Sequence, residues 1–169
     1  MKKFNHSSLF CYLYILLLVI SYFSFNSLPF IKSCIIATST CLAVSILWDL
    51  KNLLNKKCAI TNLNFFINCF ILIKIFVGMF SIFNISNIHI LFDNFRLLLF
   101  FSTLLQLVYG ISIIKSNFKK FKFFKFYGYI LCISSIFALI LPNSSIHIFF
   151  PIITAFILGE IFFEGENLV

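Results

Sequence analysis

Six long apolar runs dominate this chain and restrict its possible folds more than any other feature. They lie at residues 9–25, 29–48, 63–82, 94–114, 126–141 and 146–163. A helix that crosses the hydrocarbon core of a bilayer needs about 20 mostly apolar residues, with roughly 17–25 tolerated. The sequence therefore predicts an all-α fold, a polytopic transmembrane helix bundle with six spans.

The composition excludes an ordinary soluble domain. Of the 169 residues, 62% are hydrophobic and only 11% are charged. A soluble domain has roughly 45–50% apolar and about 25% charged residues, because polar side chains must cover its outer surface. The segments between the runs are too short for a domain of their own, so residues 1–169 are predicted to form a single transmembrane domain in contact with the lipid bilayer.

The basic residues between the runs predict the orientation. They alternate along the chain, at Lys2 and Lys3, at Lys51, Lys56 and Lys57, and at Lys115, Lys119, Lys120, Lys122 and Lys125. The intervening segments 26–28, 83–93 and 142–145 contain no Lys or Arg. Since Lys and Arg concentrate in cytoplasmic loops, both termini are predicted to be cytoplasmic. Trp48, Tyr109 and Tyr127, near the inner ends, are predicted to lie at headgroup depth.

The same residues bear on partners and location. Segment 115–126 interleaves five Lys with five Phe, which superficially resembles a stripe that binds single-stranded nucleic acid. Between two spans, however, Phe can enter the membrane interface while Lys meets anionic headgroups. We interpret Lys115, Lys119, Lys120, Lys122 and Lys125 as membrane-surface residues and expect no nucleic-acid partner. Heavy use of Phe, Ile, Asn and Lys indicates an AT-rich bacterial genome, hence the inner (cytoplasmic) membrane.

Three polar residues fall inside the runs and are the candidate site residues: Lys74, Gln106 and Glu160. At 1.5 Å per residue they lie roughly 16 Å, 12 Å and 5 Å from the cytoplasmic boundary. A charge at mid-bilayer costs at least about 2.5–3.5 kcal/mol unless it is paired or hydrated. We therefore predict that Lys74 faces the bundle, and a polar chain of the three residues along its interior is geometrically possible. The alternative for Glu160 is that it reaches the inner interface and pairs with Lys57 or a neighbouring Lys.

No catalytic or metal-binding pattern is visible. The chain has no phosphate-binding glycine loop, no H-E-x-x-H, no G-x-S-x-G and no C-x-x-C among its six cysteines. The histidines, His6, His89 and His147, lie outside the apolar cores of the spans, where they could not hold a haem within the bundle. The sequence shows no catalytic residues, no metal site and no evident cofactor, and leaves open whether the protein is an enzyme.

Small residues on the second span predict its position in the bundle. Ala37, Cys41 and Ser45 repeat every four residues. Such spacing lets helices approach closely in lipid, where association depends on packing. We therefore expect this span to be central.

The last span carries a resemblance to a known family. Its sequence FILGEIFFEG, from Phe156 to Gly165, includes the pair Gly159 and Glu160 and resembles the closing helix of DMSO-reductase-type membrane anchor subunits. In that family an Arg follows the Gly-Glu pair, whereas this chain has Glu164 nearby. The resemblance implies an electron-transport role, quinol oxidation without a haem in the anchor itself, and docking to partner subunits.

The leading functional prediction is a membrane subunit or anchor of a larger complex, with a quinol-linked reductase as its concrete form. Quinol is expected as a cofactor only in that form. The alternative is a small-solute permease or channel, suggested by Lys74, Gln106 and Glu160. An intramembrane enzyme is the third hypothesis, for which no nucleophile and base can be paired.

Overall fold

The computed structural model describes residues 3–23, 29–58, 60–83, 92–116, 122–141 and 149–167. These residues form six α-helices: α1 (Lys3–Phe23), α2 (Pro29–Leu53), α3 (Asn64–Phe83), α4 (Phe92–Lys115), α5 (Lys122–Ile140) and α6 (Phe149–Asn167). A π-helical turn at Leu54–Cys58 extends α2. No strand occurs within these segments, and the predicted all-helical fold is confirmed.

Five helices, α1 to α5, are long and apolar enough to cross a membrane, judged over the described residues. The sixth has a comparable length of 19 residues but contains Glu160, Glu164 and Glu166. Helices are favoured in these runs because lipid offers no hydrogen-bond partners, so each backbone group must be satisfied within its own segment. The protein is therefore a membrane-embedded helical bundle. Its six-span count and its orientation stay predictions.

The helices form a ring. Each packs against its neighbours in the chain, and α6 packs against α1, which closes the circle. The Ser7–Asp49 hydrogen bond joins the start of α1 to the end of α2. The Lys51–Asn68 hydrogen bond joins the end of α2 to the start of α3. Hence α1, α3 and α5 begin where α2, α4 and α6 end. We call this end the lysine end, because Lys51, Lys56, Lys57, Lys115 and Lys125 lie there.

The core is concentrated at the lysine end. Its largest fully buried side chains include Tyr109, Phe124, Phe162, Leu50 and Ile67. In the opposite half of the helices, the described residues 12–23, 30–42, 97–108, 136–141 and 149–154 include none that is buried. Outside these ranges, Gly78 of α3 is buried, as are Ser134 and Ser135 in the second half of α5 and Ala155 and Ile157 in the first half of α6. We call this half the open end.

The inward faces of the helices explain why one end is open. On α2 the inward face runs from Leu50 and Ile46 at the lysine end to Ala43 and Ser39 toward the open end. The inward faces of α4, α5 and α6 also carry smaller side chains toward the open end, namely Ser102, Ala138 and Thr154. Side chains this small leave space at the centre of a six-helix ring, whereas close packing requires that volume to be filled.

The expected central position of α2 differs from what the structure shows. Cys34, Thr38 and Cys41 are exposed on the outer surface of α2. The closest helix approach described involves α4 and α5, where Gly110 and Gly128 face each other. Two glycines at one crossing allow closer backbone contact than the Ala, Cys and Ser residues of α2.

Candidate functional site

Lys74 lies on the inward face of α3. Phe70, one turn before it, packs against Tyr109 of α4, with ring centroids 5.4 Å apart. Gly78, one turn after it, lies against Thr40 of α2. Residues four apart share a helix face, so Lys74 points between α2 and α4, toward the centre of the ring. This agrees with the predicted bundle-facing orientation.

Lys74 is nevertheless exposed. It has no hydrogen-bond or ion-pair partner among the described residues. The inward direction and the exposure together mean that the space in front of its ammonium group is unfilled. Lys74 is ten residues from Asn64 and nine from Phe83, about 15 Å and about 14 Å from the two ends of α3. A lysine side chain is too short to reach either end, so its charge needs water or a counter-charge at mid-depth.

Gln106 lies where the packed and open parts of the ring meet. It shares the inward face of α4 with Ser102, Tyr109 and Ile113, at helical spacing. Its amide nitrogen Nε2 donates a hydrogen bond of 2.6 Å to Ser134 Oγ of α5. The Ser134 hydroxyl in turn donates to the Leu131 carbonyl at 2.9 Å. The hydrogen bond of Gln106 thus links α4 to α5 inside the bundle.

The headgroup depth predicted for Tyr109 and Tyr127 stays a prediction. Both rings are buried among the helices of the lysine end. Tyr109 packs against Phe66 and Phe70 of α3, which is how α4 meets α3. Its hydroxyl Oη is buried with no hydrogen-bond partner in the described part of the chain. Sequence reasoning missed this buried donor because a tyrosine near a span end ordinarily faces the interface.

Trp48, which is predicted to lie at headgroup depth, is near the end of its helix. It is exposed near the end of α2, and the Lys51 ammonium lies 5.0 Å from its ring centroid. Sequence reasoning also missed three side-chain hydrogen bonds at the lysine end. Their donors and acceptors are Ser7 Oγ to Asp49 Oδ2 at 2.7 Å, Lys51 Nζ to Asn68 Oδ1 at 2.9 Å, and Asn64 Nδ2 to Asn55 Oδ1 at 2.9 Å. The signal available in the sequence was the presence of polar residues at successive helix ends, where they could form such hydrogen bonds.

Glu160 lies apart from the other two candidates for an interior polar chain. The buried face of α6 runs through Leu158, Ile161 and Gly165. Glu160 is out of phase with these residues and shares the outer face with the exposed Phe156 and Phe163. The structure therefore brings Lys74 and Gln106 to the inner surface of the ring and places Glu160 on its outside.

One hydrogen bond is found for Glu160 within the described residues. Tyr12 Oη of α1 donates to Glu160 Oε1 at 2.9 Å. The Tyr12 ring is 41% exposed and lies edge-on to Phe156, with centroids 6.2 Å apart. Gly159 brings the two helices together, since a Cβ atom there would lie 3.4 Å from Tyr12 Cζ. We call this lipid-facing contact of Tyr12, Phe156 and Glu160 the α1–α6 seam.

The predicted membrane-surface lysines are only partly described. Lys115 and Lys125 are exposed at the lysine end, and Lys122 begins α5. Lys119 and Lys120 lie outside the described residues, as do His89 and His147. Within the residues that are described, no group of three His, Cys, Asp or Glu side chains could hold a metal ion.

Comparison with known protein families, with curated proteins and with solved structures finds no match for this chain. The resemblance of Phe156 to Gly165 to a membrane anchor subunit therefore stays a prediction. What the chain could do must be argued from its own polar residues.

Proposed function

We propose that this chain is a membrane subunit of a larger protein assembly in a bacterial cytoplasmic membrane. The observation that carries the proposal is the position of Glu160 on the α1–α6 seam, facing away from the ring. It lies three residues before Phe163, the last residue of the apolar run, and so about 5 Å inside that run. A carboxylate at that depth faces hydrocarbon unless another protein covers it.

The hydrogen bonding of Glu160 supports a missing partner. An ionised carboxylate can accept about four hydrogen bonds. Glu160 accepts one, from Tyr12. Leaving an acidic group in lipid costs on the order of 2.5–3.5 kcal/mol by insertion scales, and such residues pair with other helices for this reason. A transmembrane helix of another protein that carries Arg, Lys or an amide donor would satisfy it.

The short segments between the helices also support a role as a membrane subunit. The undescribed segments between successive helices are at most eight residues long, so the chain offers little room for a catalytic domain outside the membrane. A reaction carried out by the assembly would then reside in a partner, while this chain holds that partner at the bilayer. Exposed aromatic side chains, Tyr12, Phe156 and Phe163, flank Glu160 and suit a packed helix interface.

A quinol-linked reductase is the concrete form of this proposal. It is supported by the Gly159 and Glu160 pair of the C-terminal helix. A quinol dissolved in the bilayer could reach the α1–α6 seam from the lipid side, and its hydroxyl group could donate a hydrogen bond to Glu160. In this form the electron carriers belong to the partner subunits.

Native gel electrophoresis of mildly solubilised membranes tests the proposal. The wild-type chain should migrate in a complex larger than itself, and Glu160→Gln should lose most of that complex. Glu164→Gln makes the same chemical change one turn nearer the lysine end and should retain it. If Glu160→Gln assembles like the wild type at equal membrane levels, the subunit proposal is wrong. Quinol-dependent reductase activity in the same membranes separates the redox form from other assemblies.

A small-solute permease is the second candidate, favoured by the exposure of Lys74 inside the ring. The ring is packed at the lysine end and open at the other, as in a transporter whose path is accessible from one side. Uptake of labelled solutes into proteoliposomes would test it. Uptake that depends on Lys74 but not on Glu160 would favour the permease over the membrane subunit.

A further inference from the structure

The space in front of Lys74 lies between the inward faces of α2, α3 and α4. Ser39 of α2 and Ser102 of α4 are on these faces, toward the open end from the packed core. Both hydroxyl groups already donate to their own helices, Ser39 to the Ile36 carbonyl at 2.9 Å and Ser102 to the Leu99 carbonyl at 2.8 Å. The two serine oxygens are therefore left as hydrogen-bond acceptors. The strong hydrogen-bond donor in this space is the Lys74 ammonium group.

Lys74 and Lys32 are the charged residues described on these inward faces. Lys32 is exposed and occupies the inward face of α2 seven residues before Ser39, nearer the open end. The carboxylates whose side chains are described lie elsewhere: Asp49 and Glu164 toward the lysine end, and Glu160 on the outer surface. Among the residues whose side chains are described, no acidic group on an inward face at the open end offsets Lys74. Low-dielectric walls focus such a field and attract anions.

We propose that Lys74 is the floor of an anion-binding crevice that opens at the open end. The ligand is a small anion that offers oxyanion oxygens, a carboxylate or a phosphate group, and it is held by charge-assisted hydrogen bonds from the Lys74 ammonium group. The oxyanion is supplied by a free solute or by the headgroup of an anionic lipid that enters laterally. This site is separate from the α1–α6 seam and does not depend on the proposed membrane-subunit function.

The physical basis is the mid-depth position of Lys74. Its ammonium carries three donors and faces unfilled space about 14 Å from the open end of α3. A bound oxyanion supplies the counter-charge that the described protein groups do not. Lys32, at the mouth, favours the approach of the same class of ligand.

Thermal unfolding in nanodiscs tests binding directly. The full-length protein is placed in phosphatidylcholine nanodiscs and titrated with sodium acetate or sodium phosphate, against sodium chloride at equal ionic strength. A ligand that binds only the folded state raises Tm, and the rise grows with the logarithm of the ligand concentration above Kd. The wild type should gain Tm with acetate or phosphate beyond the chloride control. Lys74→Gln should bind about tenfold more weakly or worse, while Lys125→Gln, an exposed lysine of the lysine end, should behave like the wild type.

Lipid composition distinguishes the two sources of the oxyanion. If the headgroup of an anionic lipid occupies the crevice, phosphatidylglycerol in the nanodisc should stabilise the wild type but not Lys74→Gln, and acetate should then add nothing. If the ligand is a free solute, the acetate or phosphate response should persist in phosphatidylglycerol. No response of the wild type to acetate, phosphate or phosphatidylglycerol would overturn the proposal. So would an equal response in Lys74→Gln.

A measurement on the wild type alone covers the case in which Lys74→Gln fails to fold. The amine of Lys74 is acetylated with a water-soluble N-hydroxysulfosuccinimide ester, and the modified peptides are quantified by mass spectrometry. Lys74 should react, and the stabilising anion should slow its reaction several-fold while leaving Lys125 unchanged. Failure of Lys74 to react while Lys125 reacts, or reaction at a rate that no anion alters, would refute the crevice.

Discussion

Gly110 of α4 lies directly against Gly128 of α5. A Cβ atom at Gly110 would be 2.9 Å from the Gly128 carbonyl oxygen and 2.7 Å from Cys132 Sγ, and a Cβ atom at Gly128 would be 3.0 Å from the Gly110 carbonyl oxygen. The two backbones are therefore in contact. This approach lets the short Ser134 side chain reach Gln106, which lies four residues from Gly110, while Ser134 lies six residues from Gly128.

Replacing either glycine with alanine should separate the two helices. We expect Gly110→Ala and Gly128→Ala each to lower the free energy of unfolding by about 1–3 kcal/mol, the usual range for overpacking a tight contact. Gly159→Ala is the control, since a Cβ there would make ordinary contacts of 3.4 to 3.6 Å. Unfolding in mixed micelles measures all three. Equal stability of Gly128→Ala and Gly159→Ala would show that the α4–α5 contact is looser than described.

The hydrogen bond between Gln106 and Ser134 should be measurable as a coupling energy. Gln106→Leu and Ser134→Ala each remove one partner, and the double variant completes the cycle. Hydrogen bonds between membrane helices average about 0.6 kcal/mol, with about 1.7 kcal/mol as the largest values. We expect a coupling within that range from the unfolding free energies of the four proteins. Strict additivity would indicate that the side chains do not interact in the bilayer.

Reporter fusions should reveal the orientation. Fusions after Lys57, Lys120 and Val169 should read as cytoplasmic, and fusions after Ser86 and Ser144 as external, because basic residues are retained on the cytoplasmic side. Alkaline phosphatase and green fluorescent protein report the two sides with opposite signals. An external signal at Lys120 would contradict the six-span arrangement.

Cysteine labelling should map access from the open end. In a variant with all six native cysteines replaced by alanine, Ser39→Cys should react with a charged, membrane-impermeant methanethiosulfonate applied from the open end, because its side chain lines the inward face. Thr38→Cys, on the adjacent outward position, faces lipid and should stay unreacted. Similar labelling of the two positions would mean that α2 is rotated relative to the ring described.

The helices could be predicted from sequence, but their rotation could not. Each run is apolar on all faces, so hydrophobic periodicity gives no inward direction in lipid, whereas it would in water. Lys74 was assigned inward on the energetic cost of a charge in hydrocarbon, and the structure agrees. For Glu160 the same argument gives no direction, because Tyr12 donates a hydrogen bond to its carboxylate on the outer surface.

The unfilled space was also beyond sequence reasoning. It depends on how the inward faces of several helices combine, and Ser39, Ser102 and Ala138 are unremarkable when each helix is considered alone. The buried Tyr109 was missed for a related reason. Its position near a span end fits an interfacial ring, and only the contact with Phe66 and Phe70 reveals that α3 covers it.

The uneven packing of the ring has a mechanical consequence for the surrounding bilayer. The lysine end is held by large buried side chains, so its cross-sectional area is fixed. The open end lacks such contacts and can widen or narrow. A change in its shape alters the area that the protein occupies in one leaflet and leaves the other unchanged. We therefore expect lipids that alter the lateral pressure of the leaflet at the open end to shift the shape of the protein without occupying a binding site.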